Sequence, residues 1–236
     1  MMAFDISERV GDIVAAFPLA GDIFQQHRID FCCGGNRTLA DVAGEQNLDA
    51  TLIVAELNQA LETKLEASQS TDWSTAPLSD LVDHVLVTHH AYLAKELPGL
   101  YELTKKIFRV HGEHHGEELS QVYRLFHNLK AELEEHVIKE EVMIFPRLVT
   151  ASKSHARDEI LTVLQMIDEL EAGHQSAGDV IKNLRIVTND FQVPPDGCKT
   201  YELTYQKLEE LERDLFQHIH LENNILFVRF RNLLTA

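Results

Sequence analysis

Glu134-Glu-His-Val-Ile-Lys-Glu-Glu-Val-Met-Ile-Phe-Pro146 and Phe216-Gln-His-Ile-His-Leu-Glu-Asn-Asn-Ile-Leu-Phe-Val228 are two stretches of one chain that share a pattern. Each contains a histidine, a glutamate four residues later, an apolar pair and then a phenylalanine. Residues four positions apart project from the same side of an α-helix, one turn apart. We therefore predict that both stretches are helical and that each presents an imidazole beside a carboxylate.

The two pairs, His136 with Glu140 and His218 with Glu222, have apolar neighbours that are typical of a core-facing helix surface. A carboxylate that is buried without a partner is strongly destabilising, or else its pKa shifts. A bound metal ion removes that cost. One such pair on a charged helix is usually a surface ion pair, but two copies in matched apolar contexts indicate a metal site.

Four long helical patterns follow Pro77, and the paired motifs lie in the second and the fourth. The sequence His-Gly-Glu-His-His-Gly follows the first pattern, and Asn-Asp-Phe-Gln-Val-Pro-Pro-Asp-Gly-Cys follows the third. Glycine and proline in such segments favour turns over helix. Short connections between long helices predict an all-α fold, an antiparallel up-down four-helix bundle. The predicted helices span residues 79–110, 117–150, 155–188 and 200–234.

A small helical domain is predicted for residues 1–67, before the bundle at 78–236. The polar segment 68–77, Ser-Gln-Ser-Thr-Asp-Trp-Ser-Thr-Ala-Pro, is typical of a linker. Within the first domain, the sequence Cys-Cys-Gly-Gly at 32–35 is followed by an asparagine and indicates a turn. Apolar residues at helical spacing predict a helix over 51–67.

Composition narrows the classes of function. The chain has 236 residues and a formal net charge of −17, which disfavours a nucleic-acid-binding protein. No apolar run is long enough for a membrane helix, and the acidic N-terminal sequence does not resemble a secretory signal. Three cysteines, two of them adjacent, do not indicate a disulfide framework. A reducing, cytoplasmic location is therefore expected.

The other two bundle helices should complete the set of ligands. His174 in the third helix lies on the side of its apolar residues and has small neighbours, so we expect it to point inward. The first helix offers His84, His89 and His90, and periodicity leaves the choice among them open. A set rich in histidine and carboxylate suits a pair of iron or manganese ions better than structural zinc, which favours four ligands and often thiolates.

The chain resembles the RIC family, which are di-iron proteins for the repair of iron centres. Its bundle resembles a hemerythrin-like domain. The resemblance covers nearly the whole chain. It is carried by Asp30-Phe-Cys-Cys-Gly-Gly35 with Thr38-Leu39, by the turns around His136, His174 and His218, and by Pro194-Pro195 with Cys198. One departure is Gly173, since an acidic residue commonly precedes the third-helix histidine in that family.

The resemblance implies a metal centre of two non-haem iron ions, oxo- and carboxylate-bridged, with Glu140 and Glu222 as the bridging carboxylates. It also assigns the ligand position in the first helix to His90. The implied ligands are His90, His136, Glu140, His174, His218 and Glu222.

The resemblance further implies a role in the stress response, the repair of iron–sulfur clusters damaged by nitric oxide or peroxide through a supply of iron. The expected partners are damaged iron–sulfur proteins, with nitric oxide or oxygen as small ligands. Two alternatives stay open: a hemerythrin-like binder or sensor of oxygen or nitric oxide, and a nitric oxide reductase. Whether the protein is an enzyme, whether it forms a homodimer, and what Cys32 and Cys33 do are not decided by the sequence.

Overall fold

A computed structural model describes residues 3–64 and 72–235, and the all-α prediction is confirmed for them. Strands are absent from these two ranges, where a single bridge joins Arg9 to Thr38. The α-helices are α1 Val10–Ala16, α2 Ala20–Gln26, α3 Leu39–Gln46, α4 Ala50–Lys64, α5 Leu78–Val85, α6 Ala91–Lys139, α7 Phe145–Ser154, α8 Arg157–Val187, α9 Lys199–His220 and α10 Phe227–Arg231. Three π-helical turns interrupt the later helices, at Leu86–His90, Glu140–Ile144 and Leu221–Leu226.

The chain divides into two compact units, and the first contains Met1–Val82 together with Phe216–Ala236. Its N-terminal helices are short because the sequence supplies frequent stops. Pro18 separates α1 from α2, and Asn47 ends α3 in the left-handed conformation. Thr38 begins α3 by accepting a hydrogen bond from the backbone N–H of Asp41, as an N-cap residue does. The fully buried side chains of this region include Ile13, Phe24, Ile29, Phe31, Leu39 and Leu57.

The second unit, Asp83–Leu215, contains parts of all four predicted bundle helices. The first two form an antiparallel pair, because the Tyr101 and Tyr123 hydroxyls lie 3.0 Å apart on opposite sides of a reversal. The reversal centres on His115, where φ −123° and ψ 27° depart from helical values. The predicted loop at 111–116 is therefore largely helical, with a break at one residue.

Polar contacts within this unit show the directions of the third and fourth helices. The third helix runs antiparallel to the second, with His136 against His174. The fourth runs antiparallel to the first, since Lys207 binds Glu96 at 2.7 Å and Asp214 contacts His89. The result is the predicted up-down bundle.

Several boundaries differ from the sequence-based expectations. Helix α3 was not predicted, because eight residues with one apolar turn give little periodicity. The end of the predicted 51–67 helix and the first part of the predicted linker, residues 65–71, lie outside the described residues. Among the described helices, none has both the length and the apolar character to cross a membrane.

Candidate metal centre

Each π-helical turn includes or borders residues of the predicted metal site. The first ends at His90, the second begins at Glu140, and the third contains Glu222. A π turn inserts one residue into the helical repeat, so it changes which side chains face inward, and such turns are frequent at functional sites. No local pattern in the sequence predicts these turns. Not every apolar neighbour of the first pair is buried, since Met143 is 47% exposed.

In the second unit, three imidazoles surround the carboxylate of Glu140. The Nε2 atom of His136 lies 3.1 Å from Oε1, and that of His174 lies 3.8 Å from the same oxygen. The Nε2 atom of His90 lies 3.3 Å from Oε2. The two Nε2 atoms of His136 and His174 are only 2.8 Å apart. Side chains from three helices thus direct their Nε2 atoms at one carboxylate.

Glu140 is completely buried. Its contacts with the imidazoles lack hydrogen-bond geometry, and within the described part of the chain neither of its oxygens has another hydrogen-bond partner. Burial raises the pKa of this carboxyl, but the closeness of His136, His174 and His90 outweighs burial and holds the pKa well below its usual range. A buried, ionised carboxylate with converging ring nitrogens is the arrangement that a cation would complete.

The ring of His90 is oriented from its other side by Glu141, whose Oε1 lies 3.0 Å from Nδ1. A carboxylate on the second ring nitrogen is the usual support of a metal-binding histidine, because it fixes the tautomer and raises the basicity of the ligand atom. In the sequence, the only signal for Glu141 is its place beside Glu140.

His89 has a different partner. Its Nδ1 atom lies 2.9 Å from Asp214, which belongs to the fourth bundle helix. His84 lies on the more exposed side, with its ring 5.9 Å from that of His89. Of the three candidate histidines in the first helix, His90 is the one that the structure places beside Glu140.

Gly173, the departure from the family pattern, leaves room for a ligand. A Cβ atom at this position would lie 3.2 Å from Nδ1 of His136, closer than an ordinary contact. The absence of a side chain therefore lets the His136 ring approach the third helix.

In the first unit, the second motif has the same local geometry. Nε2 of His218 lies 3.1 Å from Oε1 of Glu222, and the side chains are 2% and 0% exposed. The predicted spacing thus brings an imidazole and a buried carboxylate together twice, once in each unit.

The donors in both places fit iron. They are imidazole nitrogens and carboxylate oxygens, which are common ligands of non-haem iron, and no thiolate is among them. In the second unit, ligand atoms of His136, Glu140 and His174 all lie within 4.8 Å of one another. The residues therefore suit a metal ion, and the histidine-rich set is compatible with iron.

The cysteines occupy three environments. Cys32 is buried, which raises the pKa of its thiol well above the usual value, and a contact with Cys33 at 3.7 Å acts in the same direction. Cys33 is half-buried. Cys198 is exposed and lies 3.2 Å from Nε2 of His111, which lowers the pKa of its thiol to about 7.

Comparison with known proteins places these features in a family. Residues 6–61 match a family model described as a domain of unknown function, DUF542, and residues 81–230 match the hemerythrin HHE cation binding domain. The chain is 34% identical to the iron-sulfur cluster repair protein YtfE of Citrobacter koseri over 222 residues, 93% of this chain and 94% of that protein. The YtfE proteins of Escherichia coli O81 and O157:H7 are similar to the same extent. The chain therefore belongs to the RIC family, whose members join the DUF542 domain to a hemerythrin HHE cation binding domain.

Proposed function

We propose that this chain holds two non-haem iron ions and uses them to repair iron–sulfur clusters damaged by nitrosative or oxidative stress. The proposed metal ligands are His90, His136, Glu140, His174, His218 and Glu222. Glu140 and Glu222 are assigned as bridging carboxylates, as the family resemblance implies. Metal binding by the bundle itself follows from its match to a cation binding domain.

One observation carries the proposal: the convergence of three imidazoles on the buried carboxylate of Glu140. Without a cation, three ring nitrogens and an anion would be desolvated together, which is costly. Each side chain has a definite task. Glu140 holds negative charge between the rings, while Glu141 orients His90 through its Nδ1 atom.

When bound, two irons would supply labile iron and open positions for oxygen or nitric oxide. The protein's own contribution is to bind and orient the metal. A shell of histidine and carboxylate holds iron less permanently than a thiolate cage or a porphyrin, which suits a protein that supplies iron. The relatives are named as iron-sulfur cluster repair proteins, and this name supports the choice of clients.

We also propose that residues 1–67 and 78–236 are separate domains joined at 68–77, in the cytoplasm. The matches to two family models over 6–61 and 81–230 support this division.

The first test is metal analysis with optical spectra. Purified protein should contain about two irons per chain, as dinuclear sites in helical bundles do, with an oxo-bridged charge-transfer band in the near ultraviolet. A chain that takes up no iron under reducing, anaerobic conditions would contradict the proposal.

The second test separates repair from gas chemistry. The iron-loaded protein is incubated with an iron–sulfur protein whose cluster has been damaged by nitric oxide, and recovery of the cluster is followed by its absorbance and activity. Repair predicts recovery with transfer of iron from this chain. Steady consumption of nitric oxide with an added electron donor and no recovery would favour a reductase instead.

A further inference from the structure

The fourth bundle helix has a second surface besides the side that carries His218 and Glu222. Phe216, His220 and Asn224 are spaced by four residues and lie together on this surface, which belongs to the first unit. The ring of Phe31 packs against it, with its centroid 5.9 Å from that of Phe216 and 5.7 Å from that of His220. Phe31 directly precedes the Cys-Cys-Gly-Gly turn, so this packing brings the turn to the helix.

Asn224 makes the polar contacts. Its Nδ2 atom donates hydrogen bonds to the backbone carbonyls of Phe31 at 3.2 Å and of Cys32 at 2.9 Å. These two acceptors fix the orientation of the amide, because its oxygen could not replace the donor. The turn is therefore bound to the helix through its backbone, whatever the state of its thiols.

Two glycines explain how the amide fits. A Cβ atom on Gly35 would collide with Oδ1 of Asn224, and one on Gly11 would lie 2.9 Å from it. Gly35 is the second glycine of the Cys-Cys-Gly-Gly sequence. Its lack of a side chain is required by the close approach of Asn224.

The turn itself is ordered around Asp30. One carboxylate oxygen, Oδ1, accepts hydrogen bonds from the backbone N–H groups of Cys32, Cys33 and Gly34 at 3.0 to 3.2 Å. The thiol of Cys32 lies 3.2 Å from the same oxygen and is 1% exposed. Asp30 binds the N–H groups of the turn, and Asn224 binds the carbonyls of Phe31 and Cys32. Together they hold the Cys32 thiol away from solvent.

We propose that Asn224 is a positioning residue that keeps the Cys32 thiol buried, and that metal binding at Glu222 controls how firmly it does so. Glu222 and Asn224 lie in the same π-helical turn, Leu221–Leu226. As a metal ligand, Glu222 would restrict the motion of this turn, which presents the Asn224 amide to the cysteine turn. This second step rests on the proposed function, whereas the role of Asn224 as a hydrogen-bond donor does not.

The donor role is tested by thiol labelling with a maleimide, resolved for each cysteine by mass spectrometry, in the full-length Asn224→Ala and Asn224→Asp proteins. Loss of the two hydrogen bonds should raise the labelling rate of Cys32 about tenfold or more. Asn224→Asp keeps the shape of the side chain but has no N–H group, so it should behave like Asn224→Ala. If the side chain only filled space, Asn224→Asp would match the wild type, and the proposal would be overturned.

Cys198 is the internal reference, because it is exposed and lies in the other unit. An unchanged rate at Cys198, with an unchanged circular dichroism spectrum, shows that a variant is folded. If a variant unfolds, the wild type by itself still tests the proposal. In the wild-type protein, the proposal requires Cys32 to be labelled slowly and Cys198 to be labelled fast. Equal rates at these two thiols in the folded wild type would overturn the proposal.

The metal step is tested by comparing iron-loaded wild type with protein treated with a chelator. Removal of iron should accelerate labelling of Cys32 but not of Cys198, and Asn224→Asp should show no such dependence. If Cys32 is labelled at the same rate with and without bound iron, only the proposed coupling between the metal and the cysteine turn is overturned. A wild-type chain that binds no iron would instead contradict the proposed function, while the comparison of Asn224 variants would keep its meaning.

Discussion

The two His-x-x-x-Glu turns are alike in sequence and different in their surroundings. Around Glu140, three imidazoles converge and a second carboxylate, Glu141, orients one of them. The turn of Glu222 pairs with His218 on one side and presents Asn224 to the cysteine turn two residues later. The same local motif thus lies among three converging imidazoles in one case, and beside a link to the cysteine turn in the other.

This difference indicates that two copies of one motif need not contribute equally to iron binding. The carboxylate of Glu140 is held by rings from three helices, so its removal should disturb the site more than the loss of Glu222. Four variants test this ranking by iron content, measured after identical anaerobic loading.

Glu140→Ala should have the largest effect. It leaves three imidazoles without the carboxylate between them, and iron should fall from about two to well below one per chain. Glu135→Ala is the matched control, since Glu135 lies on the same helix and forms an exposed pair with Lys139. Full iron content in Glu140→Ala would show that the site is elsewhere.

Glu222→Ala should follow, with an intermediate loss. This variant keeps Glu140 and the three imidazoles beside that carboxylate, so about half of the iron should remain after loading. Iron is measured by mass spectrometry beside the near-ultraviolet band. A loss equal to that of Glu140→Ala would contradict the ranking of the two carboxylates.

Glu141→Ala should have a smaller effect. It removes the group that orients His90 while leaving the proposed ligands in place, so iron affinity should fall on the order of 10- to 100-fold. A competition titration with a chelator measures this. Glu141→Gln retains an acceptor and should lie between Glu141→Ala and the wild type; affinity unchanged in both would remove Glu141 from the site.

His89→Ala should have the least effect on iron. His89 pairs with Asp214, so its loss should leave the iron content unchanged. The free energy of unfolding should fall by about 1–3 kcal/mol, because the substitution leaves the Asp214 carboxylate without its partner. Chemical denaturation gives this value, and His90→Ala is the comparison that should lose iron. Iron loss in His89→Ala with retention in His90→Ala would reverse the assignment.

The helices and both paired motifs could be predicted because their signals are local. Apolar periodicity gives the helices, and the spacing of four places His136 beside Glu140 and His218 beside Glu222. His174 followed from its apolar side and its small neighbours, and its side chain is 3% exposed. The choice of His90 came from the family resemblance, since three histidines had similar periodicity.

The partners of these residues were not predictable in the same way. Glu141 on His90 and Asp214 on His89 join positions that are 51 and 125 residues apart. The π-helical turns depend on how the helices pack, so no local pattern in the sequence predicts them. Helix α3 was too short to give a periodic signal.

The sequence by itself determined an all-α chain, the two turns in which a histidine meets a glutamate, and the family to which the chain belongs. Those properties depend on residue spacing within one helix and on motifs that are short in sequence. Only the tertiary structure decided which imidazoles surround Glu140, which carboxylate orients His90, and that Asn224 binds the cysteine turn. The physical reason is that these contacts join distant parts of the chain, and helix packing and π-helical register, rather than sequence spacing, set their geometry.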